Sequence, residues 1–386
     1  MIKNINFHFL KISNRLKFFI IKSLYSFLNG SLNLLTHSFF DFKNVKLKNK
    51  VNKILVLRNG SIGDCVTSFP TIFSIANQYP HAKLDILTNS GNNNFIGMEY
   101  LLSENIYSKI INYFGMDYKF LYKLIKKNEY DLFINLSQDK TTWFREFKLL
   151  LFIKLCSIPT AIGFEIGTVR LFLRIQNENF SRKSERDRLG SIIEKIGIPY
   201  LRNNYPLKKD IKSENEVFKN LESLNILEKK KNIGIVIGAK RELNKWPINY
   251  WKEICEKLNE KGYNILIIGG NDDKKDSEIL KSNRVFDFCG KFNISCSIEL
   301  IKNCSLLISN DTGPMHLAYA VRTPVIAIFN AWQLENVWFP TLENSVVLMD
   351  TKIDCAFCYD NKCRNNKCMQ SIKPNDVIYN IERLLI

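Results

Sequence analysis

The stretch KILVLRNGSIGD, residues 53–64, decides the fold. Lys53–Leu57 is a short β-branched run, the form taken by a parallel-sheet strand buried on both faces. A glycine-containing turn follows, and then a helical stretch from about Ser68 to Gln78. Working outward, KLDILT (83–88) and DLFINL (131–136) repeat the strand pattern with helical segments between them. The pattern restarts at IGIVI (233–237), with a helix over Pro247–Glu260 that has Pro in its first turn, where it is tolerated. NILII (264–268) and Leu306–Ser309 are further strands around a helical Asp276–Lys281, and Gly313–Val321 is a helix before the strand PVIAIF (324–329). Two consecutive β/α arrays predict an α/β protein made of two doubly wound domains that face each other across a cleft.

The chain of 386 residues fits two such domains with length to spare. The expected division is a basic extension over 1–50, a first domain over 51–205, a lysine-rich linker region over 206–231 and a second domain over 232–386. With 46% hydrophobic and 24% charged residues, the composition excludes collagen, low-complexity and disordered classes. The net charge of +17 is unusual, and +8 of it falls in the first 50 residues, where Asp41 is the only acid. That excess calls for a polyanionic partner: nucleic acid, an anionic membrane or a phosphorylated substrate. The apolar run Phe18–Ile21 is too short for a signal peptide, and no stretch reaches the roughly 20 apolar residues of a membrane span. Over 10–28 a helical projection places Leu16, Ile20, Leu24, Phe27 and Leu28 on one side, with Lys11, Arg15 and Lys22 on the other. Such a helix either lies on an anionic membrane surface or packs on the protein's own body.

Three segments carry the chemistry. Arg58–Asp64 stands at the carboxyl end of the first strand, where open α/β sheets bind ligands. It lacks the third glycine of a dinucleotide fingerprint and the Gly-Lys-Ser/Thr of a P-loop. Asp64 is either a helix N-cap or a general base facing the cleft. GAKRELNKWP (238–247) puts Lys240, Arg241 and Lys245 at a second strand end, which suits a phosphate. In SNDTGPMHL (309–317), Asp311 or Thr312 caps a helix whose exposed amides form an anion site, with His316 one turn in.

Together, in this order, these segments resemble glycosyltransferase family nine, the ADP-heptose:lipopolysaccharide heptosyltransferases. The resemblance spans about residues 52–380 and is most specific at DTGPMHLA followed by TPVIAIF. It implies the GT-B fold of two Rossmann-like domains, acceptor on the first and nucleotide sugar on the second, and inverting transfer without an essential metal. Carried over, Asp64 is the base, with Ser61 and Gly63 in the acceptor-side loop. Lys245 is the main cation on the diphosphate, and Asp311, Thr312, Gly313 and His316 are donor contacts. Asp272 or Asp273, after Gly269-Gly270, holds the adenosine ribose. Lys240 and Arg241 depart from the family's small hydroxyl residues; Arg241 becomes an extra donor contact, and the donor's identity stays open. Another nucleotide sugar, or a non-catalytic lipopolysaccharide-binding module, are the alternatives. The implied partners are ADP-heptose, a phosphorylated lipid-linked oligosaccharide acceptor and the inner face of the bacterial inner membrane, where the protein would sit as a peripheral cytoplasmic enzyme. Nucleic acid is excluded, because no RNP, zinc-finger or helix-turn-helix motif is present.

Cys355, Cys358, Cys363 and Cys368 have the composition of a tetrahedral thiolate zinc site, with spacings longer than paired Cys-x2-Cys knuckles. Lying beyond all three motifs in the chain, they are expected to be structural. No cofactor is expected to be required for catalysis.

Overall fold

The computed structural model describes residues 14–41, 51–89, 96–167, 183–332, 335–340, 342–358, 360, 363 and 365–385, with side chains from Phe19 onward. Lys11 therefore lies outside the described residues, as do the side chains of Arg15 and Leu16.

The first sheet contains β1 (Lys53–Leu57), β2 (Lys83–Thr88), β3 (Lys109–Asn112), β4 (Leu132–Asn135) and β5 (Thr160–Ile162) in the order β3-β2-β1-β4-β5. The second contains β6 (Asn232–Val236), β7 (Asn264–Ile267), β8 (Val285–Asp287), β9 (Leu306–Asn310), β10 (Val325–Ile328) and β11 (Ser345–Leu348) in the order β11-β10-β9-β6-β7-β8. Every pairing is parallel. The order reverses between β1 and β4 in one sheet and between β6 and β9 in the other, and these switch points are where ligand crevices form. All three sequence motifs sit at the carboxyl ends of the strands flanking them.

The principal helices are α1 (Asn14–Phe39), α2 (Ile62–Gln78), α3 (Tyr118–Asn128), α4 (Trp143–Leu155), α5 (Glu185–Glu194), α6 (Ile211–Ser223), α7 (Ile248–Glu260), α8 (Ile294–Lys302), α9 (Gly313–Ala320) and α10 (Pro374–Leu385). Helix α2 begins six residues before the predicted start. Ser61 is its N-cap and Asp64 its N3 residue, and together they form a capping box, a strong start signal. Pro70 then sits inside the helix, where its carbonyl accepts from the Ser74 hydroxyl at 2.7 Å. Pro247 is the N-cap of α7 and stands just outside the helix rather than within its first turn. The predicted helix 276–281 forms instead as one α-turn, Lys274–Ser277, followed by a 3-10 turn, Glu278–Leu280.

The 206–231 region carries one α-helix, α6, packed on the body of the molecule. Asp210 caps α6 through its carboxylate, and Val217, Leu221 and Ile226 are buried in a cluster that also holds Ile298 and Ile301 of α8. That same cluster runs from Val56 and Phe69 of the first domain to Leu307 and Met315 of the second. The two sheets are therefore joined through a continuous apolar seam, along which α2 packs on α9.

Candidate active site

Residue Gly60 has φ +132, a region that L side chains rarely adopt, and an added Cβ would lie 2.4 Å from the Asp64 carboxylate. The turn therefore needs glycine to let the chain wrap around Asp64. One Asp64 oxygen, Oδ2, accepts from the Ser61 amide at 2.9 Å and its hydroxyl at 3.1 Å. The other, Oδ1, accepts from Gln138 Nε2 at 2.6 Å and lies 3.7 Å from Arg58 Nη2. Asp64 thus occupies N3 of α2, not the N-cap, and the capping role takes only one of its oxygens. With about four lone-pair sites on a carboxylate, Oδ1 keeps one for an incoming hydroxyl.

Behind Asp64 is a buried ionic frame. Arg58 is fully buried, and donates to the carbonyls of Asp64 (2.9 Å) and Leu136 (2.8 Å) and to Glu185 Oε1 (3.0 Å). Burial would raise the Glu185 carboxyl, but Arg188 and Arg58 outweigh it and hold it below its ordinary value. Arg188 also donates to the Ser137 carbonyl, which pins the loop carrying Gln138. The sequence reading missed Gln138, Glu185 and Arg188, which come from distant segments and lack a recognisable spacing. It also missed Lys140. Among the described residues the Lys140 ammonium makes no hydrogen bond or ion pair, and its pKa is lowered by burial and by Arg241, against the pull of Asp64, Glu185 and Asp311.

On the second domain Arg241 lies over the Trp332 ring, 4.8 Å from its centroid. Lys245 Nζ pairs with Glu242 at 2.9 Å, which raises its pKa. The loop is rigid because Trp246 is buried and its indole donates to the Ile372 carbonyl at 3.0 Å. Asn244 Nδ2 donates to Asp311 Oδ2 at 3.2 Å and to its carbonyl at 2.9 Å, tying the two motifs together. Burial pushes Asp311 up to about 6, opposed by Arg241, Lys140 and Asn244. Thr312 is the N-cap of α9 but makes no side-chain capping bond; Pro314 has no N–H and the Met315 amide donates to the Thr312 carbonyl at 3.2 Å, so the helix start keeps the Gly313 amide open. Asp273 accepts from the Gly270 amide at 2.8 Å and lies against Gly238, and burial raises its pKa.

His316 is placed differently from a phosphate donor on an open helix face. The ring is buried, its Nδ1 lies 3.0 Å from the Tyr319 hydroxyl, and its other edge faces Gly63 of the first domain. A Cβ on Gly63 would approach His316 Cδ2 to 2.6 Å, so this glycine is what lets the two domains meet. Burial lowers the imidazole to about 3, which keeps it neutral.

The four-Cys segment is not remote from the cleft. Cys363 lines an open pocket of about 900 Å³ together with Arg241, Lys245 and Trp246, and Asn366 donates to the Lys245 carbonyl at 3.3 Å. The four thiols are free, and among the described residues no three Cys, His, Asp or Glu side chains come together as a metal-holding set.

Residues 120–369 match the model of glycosyltransferase family 9 (heptosyltransferase). The chain belongs to that family. It is 28% identical over 166 residues to lipooligosaccharide heptosyltransferase 2 of Campylobacter jejuni, a match covering 40% of this chain and 51% of that protein. The chain thus spans about half the length of the Campylobacter relatives it matches. It is 23% identical over 359 residues to lipopolysaccharide heptosyltransferase 3 of Escherichia coli, covering 84% of this chain and 96% of that one. Among solved structures it is similar to a family 9 glycosyl transferase of Veillonella parvula (20% identity, TM-score 0.67, 86% and 97% covered). A second is the E. coli ADP-heptose lipopolysaccharide heptosyltransferase II (17% identity, TM-score 0.60, 86% and 98% covered). The fold is GT-B, as the resemblance implies.

Proposed function

We propose that this family 9 protein is an inverting glycosyltransferase that moves heptose from ADP-heptose to a lipid A-linked lipopolysaccharide core acceptor. The observation that carries this reading is the placement of Asp64. It stands at the first sheet's switch point with Oδ1 turned to Gln138, and its field reaches Lys140, on which Arg241 and Asp311 of the second domain also act. The heptosyltransferase relatives support the sugar, and the name of the E. coli structural neighbour supports the donor.

In this scheme Asp64 Oδ1 takes the acceptor's proton as the hydroxyl oxygen attacks the anomeric carbon from the face opposite the diphosphate. The C1–O bond breaks, and ADP leaves with its new charge on the second domain. Lys245, Arg241 and the start of α9, with its open Gly313 amide, neutralise that charge, so the protein itself supplies the positive field. Asp311 holds Asn244 and thereby the Lys245 loop. Asp273 binds the ribose, and Gly63 and Ser61 shape the acceptor side. His316, neutral and bonded to Tyr319 through Nδ1, packs against Gly63 at the domain seam. Because base and cations come from opposite domains, turnover requires the cleft to close. The reaction takes place on the cytoplasmic side, against the inner membrane that carries the acceptor.

The test is calorimetric affinity for ADP-heptose against a panel of UDP-, GDP- and CMP-sugars, followed by transfer to a deacylated core oligosaccharide. Tighter binding of ADP-heptose with transfer to the core supports the reading. Preference for another nucleotide sugar would replace the donor, and binding without transfer would leave a lipopolysaccharide-binding module.

A further inference from the structure

Among the described residues, one face of the first domain has no partner. Helices α1, α3 and α4 cover the same side of the first sheet: Phe40 just beyond α1, Leu121 and Ile125 of α3, and Leu150 and Ile153 of α4 share one core with Leu55, Leu57 and Phe133 of the strands. Helix α1 is apolar on two roughly opposite sides. Leu32 is fully buried on the body side, and Trp143 Nε1 donates to Ser31 Oγ at 2.9 Å while the Ile166 amide donates to Asn29 Oδ1 at 2.9 Å, so α1 is fixed to α4 and the body. The other sector is left in water. Phe19, Phe27 and Leu34 of α1, Tyr118 of α3, and Phe144 and Leu155 of α4 are each between 58% and 78% exposed.

The charge on this layer is one-sided. The three helices contain ten Lys and Arg and one acid, Glu146. That acid is buried, accepts from Asn135 (2.6 Å) and Thr141 (2.5 Å), and presents no charge to solvent. Exposed aromatics interleaved with lysines fit one environment, the interface of an anionic bilayer, where apolar side chains enter the acyl boundary and cations meet lipid headgroups. A second copy of the chain fits poorly, because a self-complementary contact would set this cationic face against itself.

We infer that α1, α3 and α4 form a composite platform that seats the protein on an anionic phospholipid surface. Helix α4 starts at Trp143, directly after the loop of Gln138 and Lys140, so the platform's edge is the rim of the cleft. A lipid-linked acceptor lying in the same bilayer then reaches Asp64 without leaving it. The platform thus replaces the choice between membrane docking and packing on the body: α1 does both, on different sectors. This deepens the reading of a lipid-linked acceptor and rests on it.

The experiment uses the full chain and sedimentation with vesicles of phosphatidylcholine alone or with roughly 30% phosphatidylglycerol. Wild type is expected to bind the anionic vesicles at least about tenfold better, and to release them between about 0.1 and 0.5 M salt. Phe27→Glu/Leu34→Glu and Lys123→Glu/Lys148→Glu are expected to abolish binding with thermal unfolding and transfer to a deacylated acceptor unchanged. Equal binding to neutral vesicles, no binding by wild type, or undiminished binding by both double variants would overturn the platform. So would a wild-type dimer in sedimentation velocity that either variant converts to monomer. Failure of transfer to the deacylated acceptor by wild type overturns the functional reading and leaves vesicle binding intact.

Discussion

Replacing Asp64 tests the mechanism most directly, and two substitutions separate its two jobs. In Asp64→Asn the side-chain oxygen still accepts from Ser61, whose amide and hydroxyl lie 2.9 and 3.1 Å from Oδ2, so the start of α2 is preserved. In Asp64→Ala that box is lost, at about 0.5–2 kcal/mol. Arg58 keeps its closer ion pair with Glu185 at 3.0 Å, so neither variant leaves a buried guanidinium without a carboxylate. The base function is lost in both. Removing a general base costs about 10²–10⁴ in rate, or roughly 2.7–5.5 kcal/mol in the barrier. The expectation is therefore a kcat at least 100-fold lower in both variants, Asn unfolding close to wild type, and Ala somewhat earlier. Donor affinity stays within about twofold, because the donor's cations belong to the other domain. Single-turnover ADP release together with calorimetric titration of ADP-heptose reads all of this. A kcat for Asp64→Asn within about tenfold of wild type would refute Asp64 as the base, and a large loss of donor affinity in Asn would move it to the donor side.

Lys245→Ala removes a charge-assisted contact with the diphosphate and is expected to weaken ADP-heptose binding by about 10- to 100-fold, or roughly 1.5–3 kcal/mol; unchanged affinity by calorimetry would remove that role. His316, held neutral down to about 3 in the native state against an unfolded value near 6.5, makes stability fall with acidity through that window, by at most about 1.4 kcal/mol per pH unit. His316→Asn should therefore lose less stability than wild type between pH 6.5 and pH 4, and parallel curves in denaturant titrations would contradict the buried neutral ring. Asp311 and Glu146, raised to about 6 and about 7, act in the opposite sense, since their burial cost is relieved as pH falls, and they cancel in that comparison. The four thiols are proposed as structural zinc ligands: fresh protein should carry about one zinc, and Cys358→Ser should lose it and unfold earlier. Metal-free wild type would end that proposal.

The strands around both switch points were legible because a parallel strand buried on both faces is a short run of β-branched residues, and KILVL, IGIVI and PVIAIF have that form. The weak edge strands were not. Val285–Asp287 is only half-buried, and Lys109–Asn112 begins and ends on polar residues, so neither shows a strand pattern. The start of α2 was readable from Ser61 and Asp64, three apart, the spacing of a capping box. At the site, the residues recovered from the sequence are those carried by contiguous motifs. Gln138, Glu185 and Arg188 matter through contacts across 51 to 127 positions of chain, which no local spacing encodes. The location of the four-Cys segment was misjudged for the same reason: distance along the chain says nothing about Asn366 bonding to the Lys245 carbonyl.

The seam between the domains is itself a reason to expect an anion. Helices α2 and α9 bring their amino ends together, with Gly313 against Ile62 and His316 against Gly63. Each end carries about half a positive charge. Around them stand Arg58, Lys140 and Arg241, with Lys140 lacking a bonded partner among the described residues. Against this the seam offers Glu185, already paired with Arg58, together with Asp64 and Asp311, and Asp311 is raised by burial towards its neutral form. Closing such a cleft without a ligand would press like charges together in a poorly solvated space. A diphosphate beside the two helix ends removes that repulsion, so binding of the donor and closure over it favour one another. A neutral His316 fits this arrangement, because a further cation at the helix seam would oppose closure.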